Sequence, residues 1–354
     1  MQQDIKSLTK EELCSWLEKN DIKPFRTDQI LKWIYLHQTD NFEMMTNISK
    51  DLRKFLSKSF INKRLKKEKV LTSPDNTSKY LFCLEDGNHI ETVLIPERDH
   101  YTLCISTQVG CAQGCKFCLT ASGGFIRNLT HAEIVSQVRD IQFELQQENK
   151  YNKPLSNIVL MGMGEPLANY ENVIKAINII TDSDFGLGFS NRRVTLSTVG
   201  LVPKLYKLGR DSKIKLAVSL NATDNKTRDM LMPINKKYPI ERLIEALKEY
   251  PLQTRKRITF EYILIEGIND SEKNAKELAR LLRPLRAKIN LIPFNEHCQS
   301  KFKCPKESVI LDFQKILIKN HYTAIIRKSK GQSISAACGQ LSFQRLQHKV
   351  ISSF

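Results

Sequence analysis

The sequence predicts an α/β protein: a parallel sheet curved into a partial (βα)6 barrel, with a small N-terminal helical domain and a β-hairpin extension before it. Three observations carry that expectation. From about residue 100, short apolar runs alternate with helical patterns, the signature of βαβ units. Upstream of that point, apolar residues recur at helical spacing. Between the two lies a pair of alternating segments joined by a turn. The 354 residues suffice for one large domain with a small accessory one, and a hydrophobic content of 41% excludes a globally disordered chain.

Residues 1–78 group as the helical accessory domain. Thr9, followed by Glu11 and Glu12, suits a helix N-cap. Ile30, Leu31, Trp33, Ile34 and Leu36, then Leu52, Phe55 and Leu56, follow the period of a helix face. Cations punctuate this part (Lys23, Arg26, Lys32 and the run 63–69) and offer a grip on a phosphate backbone, although such runs also serve as plain solvated faces. In residues 79–99, alternating segments 79–84 and 89–95 flank Glu85-Asp-Gly-Asn88, a hairpin signal. Residues 100–345 carry the barrel, with strands expected at 101–109, 157–161, 193–197, 214–219, 258–265 and 289–293, helices at 132–146, 173–180, 241–248 and 271–282, and a last strand at 322–327. Residues 346–354 read as a tail. Active sites on such scaffolds form at the carboxyl ends of the strands.

The chain has 55 Lys and Arg against 38 Asp and Glu, a formal net charge of +17. Such an excess draws polyanions, nucleic acid above all, without distinguishing RNA from DNA. Nine cysteines, an odd number unevenly spread, do not make a secreted disulfide framework. The first residues lack the apolar core of a signal peptide, and no apolar run reaches the length of a membrane span. The expectation is a soluble cytoplasmic protein with no membrane contact.

Chemistry concentrates in Gly110-Cys-Ala-Gln-Gly-Cys-Lys-Phe-Cys118, directly after the first expected barrel strand. Thiolates hold iron–sulfur clusters, and Cys111, Cys115 and Cys118 would leave one iron of a four-iron cube free for another ligand. A structural zinc site, which wants four protein ligands, and buried free thiols are the alternatives. After the second strand comes Met161-Gly-Met-Gly-Glu-Pro166, where glycines permit close backbone approach and Glu165 can accept from an ammonium group. Later strand ends offer Ser197-Thr-Val-Gly200, Ser219-Leu-Asn221 and Pro293-Phe-Asn295 for ribose, carboxylate or adenine. Cys338, in Ser335-Ala-Ala-Cys-Gly-Gln-Leu341, sits among small residues in a polar loop, where a reactive thiol competes with a small buried hydrophobe. Cys14, Cys83, Cys298 and Cys304 read as packing or surface thiols.

Taken together, these segments resemble the RlmN family of RNA adenine-C2 methyltransferases, radical S-adenosylmethionine (SAM) enzymes whose relative Cfr methylates adenine C8. The likeness spans nearly the whole chain. It implies a radical-SAM barrel with one [4Fe–4S] cluster on Cys111, Cys115 and Cys118. It implies SAM contacts at Gly164, Glu165, Ser197, Ser219, Leu220, Asn221 and Asn295. In the family's route a first SAM methylates a cysteine, here Cys338. A second SAM yields the radical that activates the S-methyl group for addition to C2, with Glu91 as proton acceptor. Cys104 then attacks Cys338, leaving a disulfide that an external electron donor reopens. The implied partners are 23S ribosomal RNA at the peptidyl-transferase centre and transfer RNA at the adenosine 3′ of the anticodon, acted on by a monomer. Pro166 and the stretch 291–295 lean toward C2 rather than the Cfr-like C8 reaction. Asn221 stands where the family often has histidine, and Ser333 where it often has aspartate. A non-enzymatic iron–sulfur or zinc RNA-binding protein is the rival from another class. It explains the charge and the cysteine loop, but not Cys338, Cys104 and the polar strand ends together.

Overall fold

The computed structural model describes residues 2–147, 153–297 and 300–342. Cys298, residues 343–345 and the tail 346–354 lie outside the described residues.

The N-terminal part holds β1 (Gln3–Asp4), α1 (Lys10–Glu18), α2 (Arg26–Leu31), α3 (Lys50–Ser59) and β2 (Phe60–Ile61). Thr9 and Glu12 form a reciprocal capping box that satisfies two amides at the start of α1. Of the apolar stripe read from the sequence, Ile30, Leu31, Ile34, Leu52 and Leu56 are buried, Trp33 and Phe55 are half-buried, and Leu36 is exposed; Leu13 and Leu17 of α1 complete the packed face.

Three antiparallel strands follow: β3 (Lys66–Thr72), β4 (Ser78–Cys83) and β5 (His89–Pro96). β4 and β5 are the expected hairpin. β3 falls within the lysine-rich segment grouped above with the helices. It adopts a strand because it lies at the sheet edge, where its backbone pairs with β4 while most of its side chains stay in water. Lysines on an edge strand also discourage pairing with foreign strands.

The remainder runs β6 (Tyr101–Cys104), β7 (Gln108–Gly110), α4 (Leu119–Ser122), β8 (Phe125–Asn128), α5 (His131–Gln147), β9 (Leu155–Leu160), α6 (Tyr170–Thr181), β10 (Val194–Thr198), α7 (Val202–Asp211) and β11 (Lys215–Ser219). It continues with α8 (Asn225–Leu231), α9 (Ile240–Lys248), β12 (Ile258–Leu264), α10 (Glu272–Leu282), β13 (Ala287–Pro293), α11 (Glu307–Lys319) and β14 (Ala324–Ile326). β6 and β9 to β14 pair in parallel, each with its sequence neighbour, and β5 joins β6 antiparallel. Ten strands thus form one open sheet from β14 to β3, a partial barrel with the hairpin built onto its first strand. Among the described residues no helix is long and apolar enough to cross a membrane.

One expected strand is divided. The segment 101–109 leaves the sheet after Ile105, and β7 instead pairs with β8 in a separate two-stranded ribbon. The loop after β9 causes the break: Gly162 donates to the Ile105 carbonyl, and the Met163 carbonyl takes the amides of Thr107 and Gln108. The ribbon brackets the cysteine loop and holds it above the strand ends.

The N-terminal part is fastened to α5 by buried charge. Arg139, fully buried, donates to the carbonyls of Ile34 (3.0 Å) and Thr39 (2.8 Å) and to the carboxylates of Asp40 (2.7 Å) and Asp140 (3.1 Å). Arg64 pairs with Asp40 at 2.7 Å, and Asp140 also accepts from the Leu65 amide at 2.8 Å.

Candidate active site

Strand register alone gathers much of the site. Residues directly opposite in a sheet share a face. Lys79 lies opposite Val93, Leu81 opposite Glu91, and Val93 opposite Cys104, so Lys79, Glu91 and Cys104 face one way. The same face continues through Val159 and Thr195 to Ser197, and through Ala217 and Thr259 to Ser219, Glu261 and Asn290. Sequence reasoning selected Glu91, Cys104, Ser197 and Ser219 from different segments, and the sheet brings them onto one surface.

The cysteine loop hangs at the carboxyl end of this surface. Cys111 and Cys115 are buried and Cys118 half-buried. The loop is held by Cys111 N–H to the Gly124 carbonyl (2.7 Å) and Lys116 N–H to the Leu231 carbonyl (2.9 Å). Phe117, Leu231, Met232, Ile265 and Phe294 pack with Cys115 in an apolar cluster of their own. Burial, then the field of Cys118, raises the Cys111 and Cys115 thiols, Cys111 to about 12; burial also raises Cys118. Cluster ligation exchanges such a proton for a cationic centre, which removes the cost of burying a thiolate. This donor set of gathered, sheltered thiols fits a [4Fe–4S] cluster.

Cys338 lies beside this loop because the C-terminal segment is tied to it. Leu119 donates to the Gly339 carbonyl at 2.7 Å, and the Thr120 hydroxyl to the Leu341 carbonyl at 2.7 Å. Gly339 has φ +84°, and a Cβ there would sit 3.2 Å from the Phe117 carbonyl oxygen, so a side chain would push the two loops apart. The Asn295 amide donates to the Cys338 carbonyl at 3.1 Å and accepts from Gln332 at 3.0 Å. Cys338 is reachable by solvent yet ringed by protein: burial and the Glu261 field push its thiol upward, opposed by Arg327. Cys118 acts on Cys338, and Cys338 in turn acts on Cys104, whose own burial is the larger effect. A run of thiols therefore leads from the cluster loop through Cys338 to Cys104. Ser333, in the same segment, is exposed.

Glu165 is buried and accepts from Thr198 Oγ1 (2.7 Å), Val199 N–H (2.9 Å) and Leu167 N–H (3.0 Å). Burial outweighs these bonds and pushes its carboxyl up to about 7. The glycines preceding it have a structural demand: a Cβ on Gly164 would lie 2.5 Å from Gln108 Cβ, and one on Gly162 would lie 2.7 Å from the Ile105 carbonyl oxygen. Asn221 is buried at φ 59°, a left-handed conformation that asparagine tolerates. Its side chain accepts from Ile263 N–H at 2.9 Å and donates to Met232 Sδ at 3.2 Å, so it is committed to β12 and its neighbours. Leu220 N–H donates to the Glu261 carbonyl at 3.0 Å. Cys14, Cys83 and Cys304 are half-buried and outside these contacts.

Sequence reasoning missed three charged residues here. Arg228 of α8 is buried and binds the carbonyls of Val199 (2.8 Å), Leu220 (3.1 Å) and Ser219 (3.3 Å), joining the ends of β10 and β11; burial lowers its pKa to about 10. Glu261 is buried on β12, accepts from Asn290 at 2.9 Å and is raised by burial. A lone carboxylate inside an apolar strand was the available signal. Lys79 forms a 2.8 Å ion pair with Glu91. The hairpin register predicts them as diagonal neighbours.

Residues 3–61 match the family described as ribosomal RNA large subunit methyltransferase N-terminal domain, and residues 105–279 match the radical SAM superfamily. The chain is 58% identical over 340 residues to the dual-specificity RNA methyltransferase RlmN of Desulfosudis oleivorans, covering 96% of this chain and 91% of that one. It is 48% identical over 347 residues to the RlmN of Syntrophus aciditrophicus, covering 98% of both. Among solved structures, a radical SAM methyltransferase from Sphaerobacter thermophilus is similar with a TM-score of 0.90 and 42% identity, covering 97% of this chain and all of that one.

Proposed function

The chain belongs to the RlmN family of radical SAM methyltransferases, and from that premise we propose that it methylates C2 of adenosine in 23S ribosomal RNA and in transfer RNA through a methyl group carried on Cys338. The observation that supports the carrier role is the placement of Cys338: solvent-reachable, tied to the cluster loop by the Leu119–Gly339 and Thr120–Leu341 bonds, and close enough to Cys118 and Cys104 to feel the first and act on the second.

Adenine C2 is electron-poor and does not attack a methyl donor, so the methyl group must first rest on a better nucleophile. A thiolate is one. Cys111, Cys115 and Cys118 would hold the cluster. Gly164, Glu165, Ser197, the segment Ser219–Asn221 and Asn295 would hold SAM, Glu165 facing its ammonium group. When bound, these cofactors supply a transferable methyl group and a carbon radical able to take a hydrogen atom from an S-methyl group. The protein does the rest. The apolar cluster around Cys115 keeps water away from the radical site. The carrier segment presents Cys338 to a base withdrawn from its stack. Glu91 accepts the C2 proton. Cys104 attacks the Cys338 sulfur: the S–S bond forms, the S–C bond breaks with its electron pair passing to the RNA-borne carbon, and that carbon takes up the proton given up by the Cys104 thiol to complete the methyl group, leaving a disulfide that an external reductant reopens. The N-terminal cations grip the RNA backbone, and the enzyme works as a cytoplasmic monomer.

Cys338→Ala tests this directly. The reconstituted variant is expected to cleave SAM to 5′-deoxyadenosine while yielding no methyladenosine by RNA mass spectrometry. Full methylation by that variant ends the carrier assignment, and a methyl group found at C8 replaces the C2 reading.

A further inference from the structure

Glu91 does not stand alone. Its Oε1 lies 2.8 Å from Lys79 Nζ, with both side chains about nine-tenths buried. Its Oε2 accepts from the Ser342 amide at 2.9 Å. Lys79 Nζ also donates to the Ser335 carbonyl at 3.1 Å. Ser335 and Ser342 flank Cys338 in the carrier segment, so each end of the ion pair grips the chain on one side of the reactive sulfur. We infer that Lys79 is a positioning residue that keeps Glu91 ionised until it accepts the C2 proton, and that loss of this charge loosens the carrier segment for the step that follows. The inference rests on the proton-acceptor reading of Glu91.

A carboxylate so enclosed is pushed toward its neutral form by burial, and Lys79 is the chief opposing influence, aided by the Ser342 amide. The other titratable groups on this face are Cys104 of β6, whose thiol burial pushes upward, His89 of β5, which is paired with Glu68, Cys83 of β4 opposite His89, Lys69 of β3 opposite Leu81, and Glu261 farther along the sheet. Without Lys79 the chief influence opposing burial is lost, and ionisation of Glu91 moves to higher pH. In the step itself the C2–H bond of the radical adduct breaks, its electron pair stays with the adenine ring, the proton moves to a Glu91 carboxylate oxygen, and the adduct's one surplus electron would pass to the oxidised iron–sulfur cluster that Cys111, Cys115 and Cys118 would hold. Charge separation between Glu91 and Lys79 then ends. The ion pair becomes a neutral acid beside an ammonium, and the hydrogen bond from the Ser342 amide loses its charged acceptor, while Lys79 keeps its bond to the Ser335 carbonyl. The grip slackens at the stage when Cys104 must reach the Cys338 sulfur.

The test compares Lys79→Met, Lys79→Arg and Glu91→Gln in the full-length, cluster-reconstituted enzyme. Single-turnover reactions with RNA are run from pH 6 to 9, scoring S-methylated Cys338 peptide, protein–RNA crosslink and released methyladenosine. Lys79→Met is expected to form S-methylcysteine normally, accumulate crosslink at pH 7 and regain release as pH rises, about tenfold per unit by which its profile is displaced. Lys79→Arg keeps the cation and the wild-type profile within about threefold. Glu91→Gln accumulates crosslink at every pH. A Lys79→Met enzyme with the wild-type profile overturns the inference, as does one with a release defect that alkali does not relieve or one that cannot S-methylate Cys338. If Glu91→Gln releases product normally, the proton-acceptor reading itself fails, whatever Lys79→Met does.

Discussion

Two regions of this molecule bury charge, and they do so to different ends. At the junction between the N-terminal part and α5, Arg139 is enclosed and every charge around it has a matched partner in Asp40, Asp140, Arg64 or a carbonyl. At the barrel mouth, buried groups are held in states they must leave: thiols raised by burial, Glu165 raised to about 7, and Cys338 left open to solvent. Completed networks fasten; incompletely matched ones react. The contrast predicts that removing a mouth residue changes chemistry at nearly constant stability, while removing a junction residue changes stability at nearly constant chemistry.

The largest expected effect is at the mouth. Cys104→Ala should reduce release of methylated RNA by about two orders of magnitude or more and trap a protein–RNA crosslink, seen as a shifted band on a denaturing gel. Only free, unmodified RNA from that variant counts against the resolving role. The matching test at the junction is Arg139→Met, which leaves Asp140 buried without its nearest guanidinium, with only Arg64 and the farther Lys6 as cations, and should cost about 3–5 kcal/mol. Thermal unfolding measures that loss. A variant of unchanged melting temperature but altered pH profile would break the distinction between the regions. Glu165→Gln comes next: under the proposed role of Glu165 as partner of the SAM ammonium, a neutral amide there should weaken SAM binding about ten- to a hundredfold by equilibrium dialysis, with a smaller fall in melting temperature than Arg139→Met produces.

What could be read beforehand follows the range of the forces involved. The capping box at Thr9, the β4–β5 hairpin, the alternating strands and the Cys111–Cys118 spacing are local patterns, and each appears in place. Three features depended on distant neighbours. The segment 101–109 splits because the Gly162–Met163 backbone captures its hydrogen-bonding groups. Lys66–Thr72 is a strand because β4 offers it an edge, a fact absent from its own charged composition. Arg228 matters because α8 aims it at carbonyls of β10 and β11, and nothing within 225–231 announces that target. For the site, the residue types at the strand ends were legible, but the shared face of Glu91, Cys104, Ser197 and Ser219 emerges only from register.

The smallest expected effect tests whether the mouth also contains true fastenings. Asp75, in the turn between β3 and β4, accepts from Ser73 Oγ, from Thr77 N–H at 3.0 Å and from Gly331 N–H at 3.0 Å, at the start of the carrier segment. Burial opposes ionisation, but the bonds from Ser73, Gly331 and Thr77 outweigh it and hold the carboxyl at about 2. A depressed carboxyl contributes stability that is present above its ordinary value near 4 and is lost as pH falls toward 2. Because Asp75 is largely exposed, the contribution at stake is small, about 1 kcal/mol. Asp75→Asn should therefore leave S-methylation and crosslink release intact while Gly331 amide exchange quickens about fivefold at neutral pH. Wild-type protein should show the same quickening near pH 3, after correction for intrinsic exchange. If Asp75→Asn instead alters the pH profile of release, this contact belongs with Lys79 and Glu91, and the division between fastening and reacting charge does not hold within the mouth.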